Sequence, residues 1–104
     1  GGALTFKRCQ DTRDAVARTP RNLLLTETDS PYMTPEPMRG VPCGPAHTVF
    51  TAACMAEVLG CESAAARAEL LAQLRENACA LLDRPPTAWQ QAHAPAAVNE
   101  RNCE

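Results

Sequence analysis

The fold class that the sequence predicts is a small all-α domain, stapled by disulfide bonds and built on an antiparallel helical hairpin of about 45–59 and 63–83. Apolar residues recur in the second stretch at the three- and four-residue steps of a helix. Glycine and proline residues mark where both helices begin and end. Six cysteines in 104 residues, with few large apolar side chains, indicate an oxidising compartment and a disulfide framework. The alternative is six reduced, buried thiols in a cytosolic protein.

Four helix start and stop signals set the predicted boundaries of the hairpin. Pro45 suits the first turn of a helix, where no amide donor is needed, and Gly60 suits a left-handed C-terminal cap. Ser63 can cap the second helix, and Pro85-Pro86 ends it. The first helix has almost no polar side and is predicted to be the most buried element. The second helix carries one apolar stripe, formed by Leu70, Leu71, Leu74, Ala78, Leu81 and Leu82.

The rest of the chain is less regular. A short N-terminal helix is predicted from Asp11 or Thr12 to Arg18, and the apolar run 22–26 fits either a packed helix end or an extended segment. Residues 27–42 hold four prolines and are predicted to be a loop. The irregular tail 84–104 is expected to be tied down by Cys103, with Trp89 docked on the hairpin. We expect a single domain over 1–104.

The proline-rich loop carries the predicted binding surface. Its large apolar side chains are Tyr32, Met33 and Met38. They either pack on the hairpin or are displayed to a protein partner, and loops of this length in small domains are often functional. We predict that these three residues bind the partner.

Helix geometry limits how the cysteines can pair. Cys43 and Cys54 are separated by roughly 16 Å along a helix at 1.5 Å per residue, which exceeds the roughly 7 Å limit for a disulfide. Cys54 and Cys61, and Cys43 and Cys61, are too far apart for the same reason. Cys79 falls opposite the start of the first helix in an antiparallel hairpin. The predicted pairs are Cys43–Cys79, Cys9–Cys54 and Cys61–Cys103, and the partners of Cys54 and Cys61 remain interchangeable.

Several function classes are excluded on composition and motif. The formal charge of −2 with scattered basic residues argues against nucleic-acid binding, and no apolar run approaches the roughly 20 residues of a membrane span. Cys43 and His47 could share a helix face, but no CxxC or HxxxH pair accompanies them, so no metal or other cofactor is predicted. No GxSxG elbow or glycine-rich phosphate loop is present. The sequence therefore predicts a protein that is not an enzyme.

Two families of small helical cysteine-rich proteins resemble parts of this chain. The 23 residues between Cys79 and Cys103, with the segment CALLDRPPT, resemble the last cysteine pair of the elicitins, which are secreted sterol carriers. The other cysteine spacings and the arginine content differ from that family. The hairpin is similar in architecture to the twin-CX9C proteins of the mitochondrial intermembrane space, although the cysteine spacings differ.

These observations favour a secreted or cell-surface helical protein that binds a protein partner as a signalling ligand, effector or receptor-binding module. The first alternative is a small lipid or sterol carrier, because alanines such as Ala52, Ala53 and Ala56 leave room between the helices. The second alternative is a structural accessory subunit in an oxidising compartment such as the mitochondrial intermembrane space.

Overall fold

The structure, a computed structural model, describes residues 1–93, and this part of the chain is helical without a β-strand. Its α-helices are α1 (Gln10–Arg18), α2 (Thr48–Val58), α3 (Ala64–Leu82) and α4 (Ala88–Ala92). Short 3-10 turns occupy Gly2–Thr5, Arg21–Leu23 and Pro45–His47. The prediction of one domain over 1–104 and the anchoring of Cys103 extend beyond the described residues.

The helix boundaries confirm the local signals in the sequence. Pro45 opens a 3-10 turn that leads directly into α2. Gly60 follows α2 with a φ of 71°, in the left-handed region that favours glycine. The Ser63 hydroxyl accepts a hydrogen bond from the Ala66 amide at 3.0 Å, which caps α3. Helix α1 begins one residue before the predicted Asp11, at Gln10, and ends at Arg18 as predicted.

The core is not built by the hairpin alone. Helix α2 packs mainly against the N-terminal turn 2–5 and against α1, whereas α3 packs mainly against the turn 21–23. The buried apolar cluster therefore draws on the whole described chain and contains Leu4, Leu24, Ala52, Met55, Ala56, Cys61, Leu70 and Leu74. These contacts make the N-terminal segment part of the fold and not an appendage of the hairpin.

Both hairpin helices leave apolar surface uncovered. The prediction that α2 is the most buried helix is confirmed within the described residues, since α2 has four buried residues and α3 has two. One face of α2 is nevertheless open, because Val49 is 61% exposed. Along the α3 stripe, Leu70 and Leu74 are buried, whereas Leu71 and Leu82 are exposed. An open groove of about 190 Å³ separates the helices, lined by Val49, Ala52, Ala53, Ala56, Arg67, Leu70 and Leu71.

The prediction of a disulfide-stapled fold is wrong. All five cysteines in the described part of the chain are free thiols: Cys9, Cys43, Cys54, Cys61 and Cys79. Neither Cys43–Cys79 nor Cys9–Cys54 is formed, and Cys61–Cys103 involves a residue outside the described range. Cys43 and Cys61 are buried, where a thiol packs as a small apolar side chain. Packing of the apolar cluster, without crosslinks, holds these helices together.

The free thiols lead to a labelling prediction. Cys79 is exposed, whereas Cys54 is partly buried and its thiol lies 3.7 Å from the Leu4 carbonyl oxygen. Burial raises the pKa of the Cys54 thiol, the nearby Glu57 carboxylate raises it further, and Arg13 opposes both effects. Because the thiolate is the reactive form, Cys54 should be alkylated by iodoacetamide more slowly than Cys79 at about pH 8, near the ordinary thiol pKa.

A charge-removing variant tests the cause of the slow alkylation of Cys54. Glu57→Gln removes one of the charges that raise the Cys54 pKa, so the midpoint of its alkylation rate should move to lower pH. Peptide mass spectrometry after timed alkylation gives the rate at each cysteine. Equal native rates at Cys54 and Cys79, or a protein without free thiols, would contradict this account.

The C-terminal part of the described chain is exposed. Trp89 lies on α4 with 69% of its surface exposed and stacks on His93 with ring centroids 4.5 Å apart. The prediction that Trp89 docks on the hairpin is therefore wrong. No helix within residues 1–93 is both long enough and apolar enough to cross a bilayer.

Candidate active site

Side chains alternate between exposed and covered positions along residues 23–29. The covered or partly covered positions are Leu24, Thr26 and Thr28. The exposed positions are Leu23, Leu25, Glu27 and Asp29. A period of two residues is the geometry of extended backbone, although residues 24–29, which follow the turn 21–23, are not paired into a β-strand. The segment therefore presents Glu27 and Asp29 on its open face, at the end where the long loop begins.

The two carboxylates of this face both lie beside Gly1. The backbone nitrogen of Gly1 lies 2.8 Å from Glu27 Oε1. A β-carbon placed on Gly1 would lie 3.2 Å from Asp29 Oδ2, so the second carboxylate borders the same residue. Glu27 and Asp29, called the carboxylate pair below, offer the oxygen ligands that Mg²⁺ and Ca²⁺ prefer.

The N-terminal turn and the long loop form one wall beside the carboxylate pair. Gly2 is buried directly against the Met33 carbonyl oxygen. The Thr5 hydroxyl donates to the Gly2 carbonyl and accepts from the Glu36 amide, each at 2.8 Å. These contacts join two segments that are about thirty residues apart, and they fix the position of Gly1 relative to the loop.

Arg13 holds the N-terminal segment from the other side. Its guanidinium donates to the carbonyl oxygens of Leu4 at 2.9 Å, Phe6 at 2.7 Å and Lys7 at 3.1 Å. A charged donor strengthens such hydrogen bonds relative to neutral ones. Helix α1 thereby fixes the backbone of residues 4–7, which follow the two glycines beside the carboxylate pair.

Helix α3 anchors the opposite end of the 23–29 segment. The Asn77 amide donates to the carbonyl oxygens of Arg21 and Leu24, each at 2.8 Å, and its oxygen accepts from Gln73 at 2.8 Å. The described chain has no β-strand beside this segment, so the Asn77 side chain provides hydrogen bonds to its carbonyl groups that a neighbouring strand would otherwise provide. This contact sets where the segment starts and hence where its carboxylates lie.

The loop that follows Asp29 is tied down at several points. The Tyr32 amide donates to the Asp29 carbonyl at 2.8 Å, and the Cys43 amide donates to the Pro31 carbonyl at 3.0 Å. The buried Thr34 hydroxyl donates to the Val41 carbonyl at 2.6 Å. The Tyr32 side chain nevertheless remains 73% exposed.

The predicted site residues are only partly brought together. Tyr32 and Met33 are exposed and Met38 is partly buried, all on the loop beside Asp29. Their binding of a protein partner stays a prediction. His47 accepts a hydrogen bond from the Gly44 amide through Nδ1 at 2.8 Å and is thereby used in capping. Within residues 1–93, no group of three or more His, Cys, Asp or Glu side chains could hold a metal ion.

The sequence interpretation missed the carboxylate pair. Its signal was an apolar run, 22–26, that leads directly into Glu27 and Asp29. Acidic residues at the carboxyl end of a strand are typical of active sites in barrels of alternating strands and helices. The sequence does not decide whether this run is a helix end or an extended segment, and it therefore does not place the acidic residues that follow.

Comparison with known proteins supplies the context for this site. The sequence model of the family described as "TatD related DNase" matches residues 1–83. The match includes the carboxylate pair, the long loop and helices α1 to α3. The chain belongs to the TatD family.

Curated relatives from several bacteria carry related names. An uncharacterized metal-dependent hydrolase of Mycoplasma genitalium is 44% identical over 57 residues, which cover 55% of this chain and 22% of the relative. YabD of Bacillus subtilis, named in the same way, is 38% identical over 58 residues, 56% of this chain and 23% of YabD. The chain thus spans about a fifth of the length of the curated relatives that it matches.

A solved structure of the same family superposes on most of the chain. YJJV, a TatD homolog from Escherichia coli, matches with a TM-score of 0.69 and 30% identity over 82% of this chain and 31% of YJJV. The predicted fold class is corrected accordingly: these helices match part of a TIM-barrel-like hydrolase fold and are not a free-standing disulfide-stapled hairpin.

The family also overturns the predicted function. The predicted function of a secreted binding protein and its two alternatives, a lipid carrier and an accessory subunit, are wrong, because the relatives are named metal-dependent hydrolases. Whether the chain binds a protein partner stays a prediction. The prediction that the protein is not an enzyme is wrong for the same reason. The secreted and intermembrane-space locations are also wrong, since they depended on a disulfide framework and the relatives are bacterial hydrolases.

Proposed function

We propose that this chain forms one side of the active site of a TatD-type metal-dependent hydrolase that cleaves phosphodiester bonds of DNA. The observation that supports the proposal is the carboxylate pair, Glu27 and Asp29, at the loop end of a strand-like segment. In barrels of alternating strands and helices, catalytic groups lie at the carboxyl ends of the strands. The matched family description and the names of the relatives supply the reaction class.

A metal site fits the described residues only in part. Glu27 and Asp29 provide hard oxygen donors, but residues 1–93 contain no set of three ligands close together. The pair would contribute ligands to a site completed by other parts of a larger fold. A divalent ion held there by Glu27 and Asp29 with further ligands would supply Lewis-acid chemistry for a phosphodiester substrate.

The uncovered apolar surface supports the same proposal. Leu23, Leu25 and Leu71 are 66%, 41% and 54% exposed. Exposed apolar surface of this kind is typical of contacts with further protein. Leu25 shares the open face of the 23–29 segment with the carboxylate pair. In our proposal the rest of a barrel covers this surface, and the carboxylates lie at its rim.

A hybrid enzyme tests the proposal. In YJJV, the superposed third of the chain is replaced by residues 1–83 of this chain, and folding is checked by circular dichroism and size-exclusion chromatography. We expect cleavage of single-stranded DNA that depends on a divalent metal. Asp29→Asn should reduce kcat by roughly 100-fold or more, because an amide is a weaker and uncharged ligand.

The control variant makes the same aspartate-to-asparagine substitution at a position away from the carboxylate pair. Asp11 is exposed in the first turn of α1, so Asp11→Asn should leave cleavage unchanged. An independent readout uses the full chain alone. Mn²⁺ should broaden the amide NMR signals near Glu27 and Asp29 in the unsubstituted chain and not in Asp29→Asn. Equal activity of both Asn variants, together with no local broadening, would contradict the proposal.

A further inference from the structure

We propose that Tyr32 is a substrate-binding residue on which a nucleobase of the substrate stacks. This inference rests on the function proposed above. Tyr32 follows Asp29 by one turn of the loop, and its side chain is the most exposed of the large apolar side chains in that loop. A substrate strand held at the carboxylate pair would therefore pass close to the tyrosine ring.

The backbone holds Tyr32 in place. Its amide donates to the Asp29 carbonyl at 2.8 Å, which couples the backbone of Tyr32 to the backbone of Asp29. On the other side, the Met33 carbonyl packs against buried Gly2. A rigid backbone under an exposed aromatic side chain lowers the entropy that binding would otherwise cost.

The backbone at Met33 carries strain. Its φ of 53° lies in the left-handed region that favours glycine and is costly for a side chain of this kind. Such outliers cluster at ligand-binding sites, where the surrounding structure enforces them. Here the turn leaves the Tyr32 side chain exposed, three residues after Asp29.

The chemistry of the ring points to a base and not to the phosphate backbone. A tyrosine ring has no positive charge for a phosphate, but its face stacks on any base, with a contribution worth about a 5- to 150-fold change in affinity per base. Arg39 does not cover the face of the Tyr32 ring, because its guanidinium stacks on Phe6, 4.1 Å from the centroid of the Phe6 ring. The proposed ligand is therefore the planar base of a single-stranded segment.

The test compares two oligonucleotides of equal length in the hybrid enzyme, one with normal bases and one abasic. Tyr32→Leu should raise KM for the normal oligonucleotide roughly 5- to 150-fold and leave kcat nearly unchanged. KM for the abasic oligonucleotide should not change. Tyr32→Phe keeps the ring and should behave as the unsubstituted enzyme. Because Tyr32 is exposed, both variants should fold like the unsubstituted protein, and their melting temperatures check this.

The outcomes separate this inference from the proposed function. Metal-dependent cleavage with the same KM in Tyr32→Leu would overturn the stacking role alone. An equal rise in KM for both oligonucleotides would also overturn it. If the hybrid cleaves neither substrate, the full chain is titrated with both oligonucleotides and followed by NMR. Shifts of Tyr32 ring signals with the normal oligonucleotide only would support stacking, and equal or absent shifts would overturn it.

Discussion

Replacing Leu70 with alanine is expected to lower the free energy of unfolding of this chain by about 3–5 kcal/mol. Leu70 is 1% exposed and lies in the apolar cluster that joins α3 to α2 and the N-terminal turn. Removal of a buried leucine side chain loses its transfer free energy and leaves a cavity that the surroundings only partly fill. Urea unfolding followed by circular dichroism measures the change.

The next residue on the same helix is the control. Leu71 is 54% exposed, so Leu71→Ala should change the free energy of unfolding by less than about 1 kcal/mol. The Leu70→Ala and Leu71→Ala variants carry the same substitution on the same helix and differ only in how buried the leucine is. Similar losses at both positions would mean that the apolar cluster described here is not what stabilises the chain.

Replacing Gly2 with alanine is expected to cost about 2–3 kcal/mol and to displace the wall beside the carboxylate pair. A β-carbon on Gly2 would overlap the Met33 carbonyl oxygen and lie 3.1 Å from the Pro35 nitrogen. These are backbone atoms of a tied loop, so the two segments must move apart, as in other overpacked interiors. Thermal unfolding gives the stability change, and amide NMR shifts at Met33 and Glu36 report the displacement.

Gly44→Ala serves as the matched control. Gly44 has a φ of −129°, and a β-carbon there would meet no atom within 4 Å. The two variants add the same methyl group, but only one of them forces backbone apart. A Gly2→Ala chain with unchanged stability and unchanged loop signals would show that the close packing of the two segments is wrong.

The helices of this chain could be predicted from sequence because their signals are local. Proline at the first turn, a left-handed glycine and a capping serine act within a few residues, and Pro45, Gly60 and Ser63 were each assigned correctly. The amphipathic pattern of α3 also identified Leu70 and Leu74 as core residues. The same pattern could not show that Leu71 and Leu82 stay exposed, since that depends on which surfaces the chain itself can cover.

The candidate site was missed because it depends on long-range contacts. Gly1 contacts Glu27 and Gly2 contacts Met33, although more than twenty residues of sequence separate the members of each contact. No local pattern predicts such neighbours, and the alternation along 23–29 is weak when only Leu24 is a large buried side chain. The disulfide prediction failed for a different reason. Cysteine spacing limits which thiols can pair, but it does not determine whether they are oxidised.

If the carboxylate pair belongs to a metal-dependent active site, Mn²⁺ soaked into crystals of the hybrid enzyme should bind to it, and anomalous diffraction locates the ion. We predict an anomalous peak with a carboxylate oxygen of Asp29 roughly 2.0–2.6 Å away, the range of oxygen ligands to divalent cations. The peak should weaken in Asp29→Asn crystals and persist in Asp11→Asn crystals. A fully occupied Mn²⁺ whose ligands include neither Glu27 nor Asp29 would contradict the account.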